Sequence, residues 1–286
     1  MDKLLTQRKR EWAKQRKPPM LKGGVISVNS AVAARYAAEL QALVDLMTSE
    51  VEKELRDFFR EEHTEEFFAT DAAGKGTASQ ARILTNALMK KFNGMFALKA
   101  KPLAEKFAKS SDKASSSAVH GSLRELSGGL SLGTRTLDAD TKQVLIASIA
   151  ENVGLIKSIP QKYLQGIQGA VMRSITSGQG LEDLLPYIQK HRGITFKRAR
   201  FIAYDQTRKT MNSLSRGRLE KLGMEEFQWL HTGGGTHPRK LHQELSGKVF
   251  RFDSPPIINK ETGARGFPGD EPGCRCRMKA VIRFSD

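Results

Sequence analysis

The sequence predicts a mainly α protein: an extended helical body with a small α+β module at its C-terminal end. Three observations lead there. Apolar residues recur at three- and four-residue steps over most of the stretch from Ser30 to Leu222. That period stops at Gly223, beyond which short stretches alternate apolar and polar side chains as strands do. Glycine and proline crowd the intervals between those stretches, as turns and loops require. Four regions follow: a basic N-terminal arm (1–29), an N-terminal helical region (30–137), a second helical part (138–223) and the α+β module (224–286).

The arm carries eight basic residues, among them Arg8, Lys9 and Arg10, against Asp2 and Glu11. Pro18-Pro19 and Gly23-Gly24 interrupt regular structure there, so the arm reads as solvated until it meets a polyanionic or acidic partner. Ser30 is a suitable N-cap for a first long helix ending near Glu62, with Val32, Tyr36, Leu40, Leu43, Val44, Met47, Val51, Leu55 and Phe58 on one stripe. A loop over Asp71–Ser79 precedes a second helix with Ile83, Leu84, Leu88, Phe92, Met95 and Phe96 on its face. Pro102 is expected to kink or end that helix. The serine-rich stretch Ser110–Ser117 reads as a linker, and Ser127–Gly133 as a second flexible join.

Further helices are expected over Asp138–Val153, Gln161–Ser177, Leu181–Lys190 and Phe196–Leu222, the last two joined at Gly193. The final one carries Arg198, Arg200, Arg208, Lys209, Arg216, Arg218 and Lys221, which predicts a basic outer face. Glu226–Leu230, Lys248–Phe252 and Met278–Phe284 are the strand candidates.

Composition narrows the partners. The chain of 286 residues holds 47 Lys and Arg against 31 Asp and Glu, a formal charge of +16. Such an excess favours polyanions: nucleic acid, an acidic protein face or an anionic membrane. No apolar run is long enough to span a bilayer, and the charged N-terminus lacks a signal-peptide core, so a cytosol-like compartment is expected. Only two cysteines occur, Cys274 and Cys276. With one residue between them they are poorly placed for a mutual disulfide, and read as half a metal site or as free thiols.

Two segments carry a resemblance. The first runs NVGLIKSIPQKYLQGIQGAVMRSITSGQGLEDLL over Asn152–Leu185 and continues in RARFIAYDQTRK over Arg198–Lys209. The second holds Trp229, the turn HTGGGTHPRKLH, the strand entry Leu245-Ser246-Gly247-Lys248-Val249-Phe250, a Pro- and Gly-rich loop and Cys274-Arg275-Cys276. In this order and spacing, over roughly Asp138–Phe284, the chain resembles the Mu F-like phage head morphogenesis family of minor head proteins. Some relatives place cysteines where Arg239 and His242 stand here. The resemblance implies a non-enzymatic virion component inside the phage head near the portal vertex, made in the host cytoplasm and present in several copies. Its implied partners are the portal protein, the inner capsid and packaged DNA, the last by non-specific phosphate contact, with no membrane involved during assembly.

The chemistry the residues offer is concentrated near the C-terminus. His237, His242, Cys274 and Cys276 could form a Cys₂His₂ zinc site, with His237 the weakest ligand because it precedes Pro238 in a turn. Such a staple suits a module with little core. Trp229, Arg239 and Gly247 are expected in structural roles, Arg239 as a donor that pins the long loop. His231, His237, Arg239, His242 and Glu244 also support an alternative, a nuclease-like enzyme using acid–base and phosphate-stabilising groups. A third reading is a bare nucleic-acid-binding protein. Arg8, Lys9, Arg10, Arg198, Arg208 and Arg216 are the candidate contacts to nucleic acid or portal, with strong salt dependence. Aromatic interleaving is too sparse for a base-stacking platform. Gly74-Lys75-Gly76-Thr77 is not a phosphate-binding loop, and no H-E-x-x-H or G-x-S-x-G occurs.

Overall fold

A computed structural model describes residues 20–61, 77–126, 133–134, 136–177, 181–233 and 238–283. Its elements are β1 (Met20–Ile26), α1 (Ser30–Glu61), α2 (Thr77–Leu126), α3 (Ala139–Thr176), α4 (Leu181–Lys221), β2 (Glu226–Leu230), α5 (Lys240–Glu244), β3 (Val249–Arg251) and β4 (Arg277–Arg283). The protein is mainly α with a small antiparallel sheet, as the apolar periods imply.

The helices are longer than the sequence suggests, and the reason is burial. Helix α2 runs through Pro102 with Phe92, Phe96, Ala100, Ala104 and Phe107 continuing one buried stripe on either side of it. An interior proline costs about 3 kcal/mol. Each buried phenylalanine returns about 1.5–3 kcal/mol, so the stripe outweighs the break. The proline also lies on the wet side, where its i−4 neighbour Leu98 is 78% exposed. The expected linker at Ser110–Ser117 is helix as well. Ser111 and Ser115 are buried, and the Ser115 hydroxyl meets that of Ser215 at 2.9 Å, so these small side chains face an interior. Helix α3 likewise absorbs Pro160 between buried Ile156, Ile159 and Tyr163, and α4 passes Gly193 without a break.

The chain divides into two compact units. Residues 34–106 and 149–203 form one unit, which among the described residues is built of helices alone. Its interior is built from Leu40, Val44, Met47, Val51 and Leu55 of α1, Phe92 and Phe96 of α2, Ile156, Tyr163 and Ile167 of α3, and Ile188 and Ile202 of α4.

The other unit, residues 1–33, 107–148 and 204–286, holds the sheet, in strand order β1-β4-β2-β3 with every pairing antiparallel. Strand β1 lies in what the composition marks as the basic arm. Its pairing with β4 shifts between Lys22 and Val25, a bulge at Gly23-Gly24. Glycine is required at Gly23, where a Cβ would stand 2.7 Å from the Ser122 hydroxyl oxygen and 2.8 Å from its carbonyl oxygen; at Gly24 a Cβ would meet only the movable Glu125 carboxylate. The same approach lets Ser122 donate to the Gly24 carbonyl at 2.7 Å. Behind the sheet lies a core of Ile26, Val119, Leu123, Leu219, Phe227, Trp229, Phe252, Ile258 and Met278, with Cys274 and Cys276 among its members.

Candidate metal centre

Pairing of β2 with β4 sets the site. Leu230 stands opposite Arg277 at the end of the ladder, so the next residues outward, His231 and Cys276, emerge side by side. The Cys276 sulfur lies 3.6 Å from His231 Nδ1. Helix α5 supplies His242, buried to 2% exposure. Its Nδ1 is 3.4 Å from the Cys274 sulfur and 3.7 Å from that of Cys276. The ligand atoms of His242, Cys274 and Cys276 all lie within 4.8 Å of one another, and both cysteines are free thiols. A cavity of about 40 Å³ opens here, lined by His231, Gly233, Pro238, Arg239, His242 and Gly273 through Cys276.

The far side of the His242 ring is committed. Nε2 lies 3.2 Å from the Ile258 carbonyl, to which it donates, and 3.3 Å from Glu271 Oε2, which leaves Nδ1 directed at the two sulfurs. Arg239 Nε holds the same Glu271 oxygen at 2.9 Å, and Asn259 donates to its other oxygen at 3.1 Å. Trp229 packs edge-on against the imidazole, ring centres 5.3 Å apart. A hydrogen bond from Cys276, opposed by burial and helped by His242, brings the Cys274 thiol down to about 4. The bond to Cys274, with burial, pushes Cys276 up. Burial works against charging His242, but the hydrogen bond and charge of Cys274, with the Ile258 carbonyl and Glu271, leave it raised.

The cysteine loop is held by α4. Buried Asp205 accepts from the Gly273 backbone N–H at 2.6 Å, Asn212 donates to the Pro268 carbonyl at 2.8 Å, and Arg216 lies 4.2 Å over the Phe267 ring. Neither Asp205 nor Asn212 stood out in the sequence, because a polar residue on a helix ordinarily faces water. Glu271 was hidden by its loop, and His231 was read only within the acid–base cluster.

Of the other sequence candidates, Arg239 also donates to the Pro272 carbonyl at 2.9 Å, and Trp229 is wholly buried on β2. Gly247 takes φ +85° in the turn before β3, where its N–H meets the Trp229 carbonyl at 2.8 Å. Arg198 donates to Ser158 at 3.1 Å, and Arg208 lies 5.9 Å from the Tyr204 ring with its pKa lowered by burial. The basic face expected of α4 is thus partly turned inward: the Arg218 side chain is 1% exposed, and Lys209 pairs with Asp205 at 3.0 Å. Glu244 pairs with Lys260 at the surface, 3.4 Å away, and does not line the cavity. His237, Arg8, Lys9 and Arg10 lie outside the described residues.

Residues 165–279, which span this centre and the helix that supports it, match the family model described as Phage Mu protein F like protein. That stretch of the chain is Mu F-like. That family is one of phage head proteins, and the match marks the chain as phage head-related. An uncharacterized protein of Haemophilus influenzae is 31% identical over 248 residues, 86% of this chain and 52% of its own length. The chain therefore spans about half the length of the curated relative it matches. No solved structure matches. Among the described residues, no helix is long and apolar enough to cross a membrane.

Proposed function

We propose that this Mu F-like protein is a minor head protein of a tailed bacteriophage, acting in head morphogenesis at or near the portal and touching packaged DNA through its phosphates. The family match over residues 165–279 carries the reading. The +16 charge supports the polyanionic partner, since a protein that neutralises phosphates releases condensed counterions on binding. His242 bears on the absence of catalysis: its Nδ1 faces two buried sulfurs and its Nε2 is engaged by a carbonyl and a carboxylate. An imidazole so committed is not a free general base for a substrate in solvent.

Co-expression with the portal and major capsid proteins of its own phage tests the assignment. The protein is expected to sediment with procapsids and to be retained by tagged portal. Procapsids that assemble without it, with no portal retention, would refute the head role. The DNA contact is tested separately. Binding to mixed-sequence duplex should weaken steeply and linearly on a log–log plot as salt rises. Affinity indifferent to salt would exclude phosphate contact.

A further inference from the structure

We propose that His242, Cys274 and Cys276, completed by His231, bind one zinc ion that closes the C-terminal module.

Edge lengths are the first argument. Zinc bound tetrahedrally at about 2.3 Å from sulfur and about 2.0–2.1 Å from nitrogen holds neighbouring sulfur and nitrogen ligands about 3.6 Å apart. The sulfur–nitrogen separations here are 3.4, 3.6 and 3.7 Å. Three of the tetrahedron's six edges thus stand at their metal-bound lengths; His231 reaches only Cys276 and closes the fourth corner by moving toward the other three ligands.

The second argument is hydrogen-bond arithmetic. The Nδ1 of His242 can make one hydrogen bond, and two sulfurs face it. Hydrogen bonding satisfies one of these contacts. A cation at the centre satisfies both, and two thiolates cancel its charge, so a neutral group is buried. The other imidazole nitrogen supplies the third argument. A histidine that ligates zinc ordinarily donates its second N–H to a carbonyl or carboxylate, which fixes tautomer and ring orientation. His242 Nε2 bonds the Ile258 carbonyl, with the Glu271 carboxylate 3.3 Å away and that carboxylate paired with Arg239 and bonded by Asn259. His231 presents Nδ1 to Cys276, and its buried Nε2 has no hydrogen-bond partner among the described residues, so the ring is free to turn either nitrogen to an ion.

Two sulfurs and two imidazoles select zinc over magnesium or calcium, which take oxygen ligands. With every corner filled by protein the ion is structural. Between β3 and β4 lie residues 252–276 with no strand or helix, and Cys274 and Cys276 sit at the end of that stretch. An ion there ties the loop to β2 and to α5 at once.

The proposal stands apart from the head assignment, since a head protein without zinc and a zinc protein without a head role are both coherent. It is tested on the purified, reduced full chain by elemental analysis, followed by chelation and Co(II) titration. One equivalent of zinc per chain is expected, replaced by Co(II) with the intense visible bands of a tetrahedral thiolate site. Cys276→Ser should abolish those bands. His231→Ala, with an unchanged far-ultraviolet dichroism spectrum, should weaken the metal by about tenfold or more. Substoichiometric zinc together with no cobalt bands from the wild-type chain overturns the site. Because that measurement needs no variant, misfolding cannot obscure it. Unchanged affinity in His231→Ala, or the loss appearing in His237→Ala instead, overturns the fourth ligand.

Discussion

The two units bury different kinds of side chain. In the helical unit the interior is aliphatic and aromatic, and the buried polar groups are few and scattered, among them Thr48, Thr85 and Asn152. In the unit that carries the sheet, α4 alone sends Asp205, Gln206, Thr207, Thr210, Asn212, Ser215 and Arg218 inward, and Ser111, Ser115, Thr134, Thr141 and Ser148 are buried in the same unit. An apolar stripe requires only volume and period, and tolerates repacking. A buried polar group requires its particular partner, since leaving it unmade costs about 1–3 kcal/mol. One unit is thus specified by pattern and the other by pairs, and it is the second that carries the cysteine–histidine centre.

Arg218 is where that difference should be largest. Its guanidinium donates to the Thr134 carbonyl at 2.9 Å, to Ser115 at 2.9 Å and to Asp112. Arg218→Met keeps much of the volume and removes every bond. Breaking a buried ion pair from one side costs about 3–5 kcal/mol. Asp112 retains 29% exposure, which holds the loss toward the lower figure. Denaturant unfolding of the full chain should register this as a lowered midpoint. A change under about 1 kcal/mol would remove the distinction between the units.

The matching substitution in the helical unit is Leu40→Met, again a near-conserved volume at a wholly buried position. Here no partner is lost, and the expected cost is under about 1.5 kcal/mol. Were Leu40→Met to equal Arg218→Met in the same unfolding experiment, pattern would not suffice to specify the helical unit either.

The same contrast decides what was legible. Helix α1 follows its stripe from Val32 to Leu55 almost residue for residue, because its environment is apolar on one side and water on the other. Ser110–Ser117 misleads because serine in sequence signals a solvated linker, whereas Ser115 and Ser116 here bond to Ser215 and Thr134. Those partners are 100 and 18 residues away, and no local window holds them. The cysteines and His242 could be named from spacing and residue type alone. His231 could not be ranked above His237, since its place beside Cys276 depends on the β2–β4 register. Arg218 shows the same limit: its helix reads as basic, and only the fold reveals which of those cations are turned inward.

The smallest expected effect lies in the helical unit, at a half-buried histidine. His191 stacks on Tyr187 with ring centres 4.0 Å apart. Burial holds its pKa below the ordinary histidine value, helped by the charges of Lys190 and Arg173. The folded state therefore resists protonation more than the unfolded chain does. Below about pH 6.5 the unfolded chain takes up the proton first, and stability falls until the folded pKa is passed. Above that window His191 is neutral in both states and contributes no slope. Lowering the pH from about 7.5 to about 5 should shift the unfolding midpoint downward by a small amount that His191→Phe removes, since phenylalanine keeps the stack and cannot titrate. The comparison is made as a difference between the two chains at each pH, so that other titrating groups cancel. An identical pH dependence in both would mean that the ring is as free to charge in the folded state as in the unfolded one.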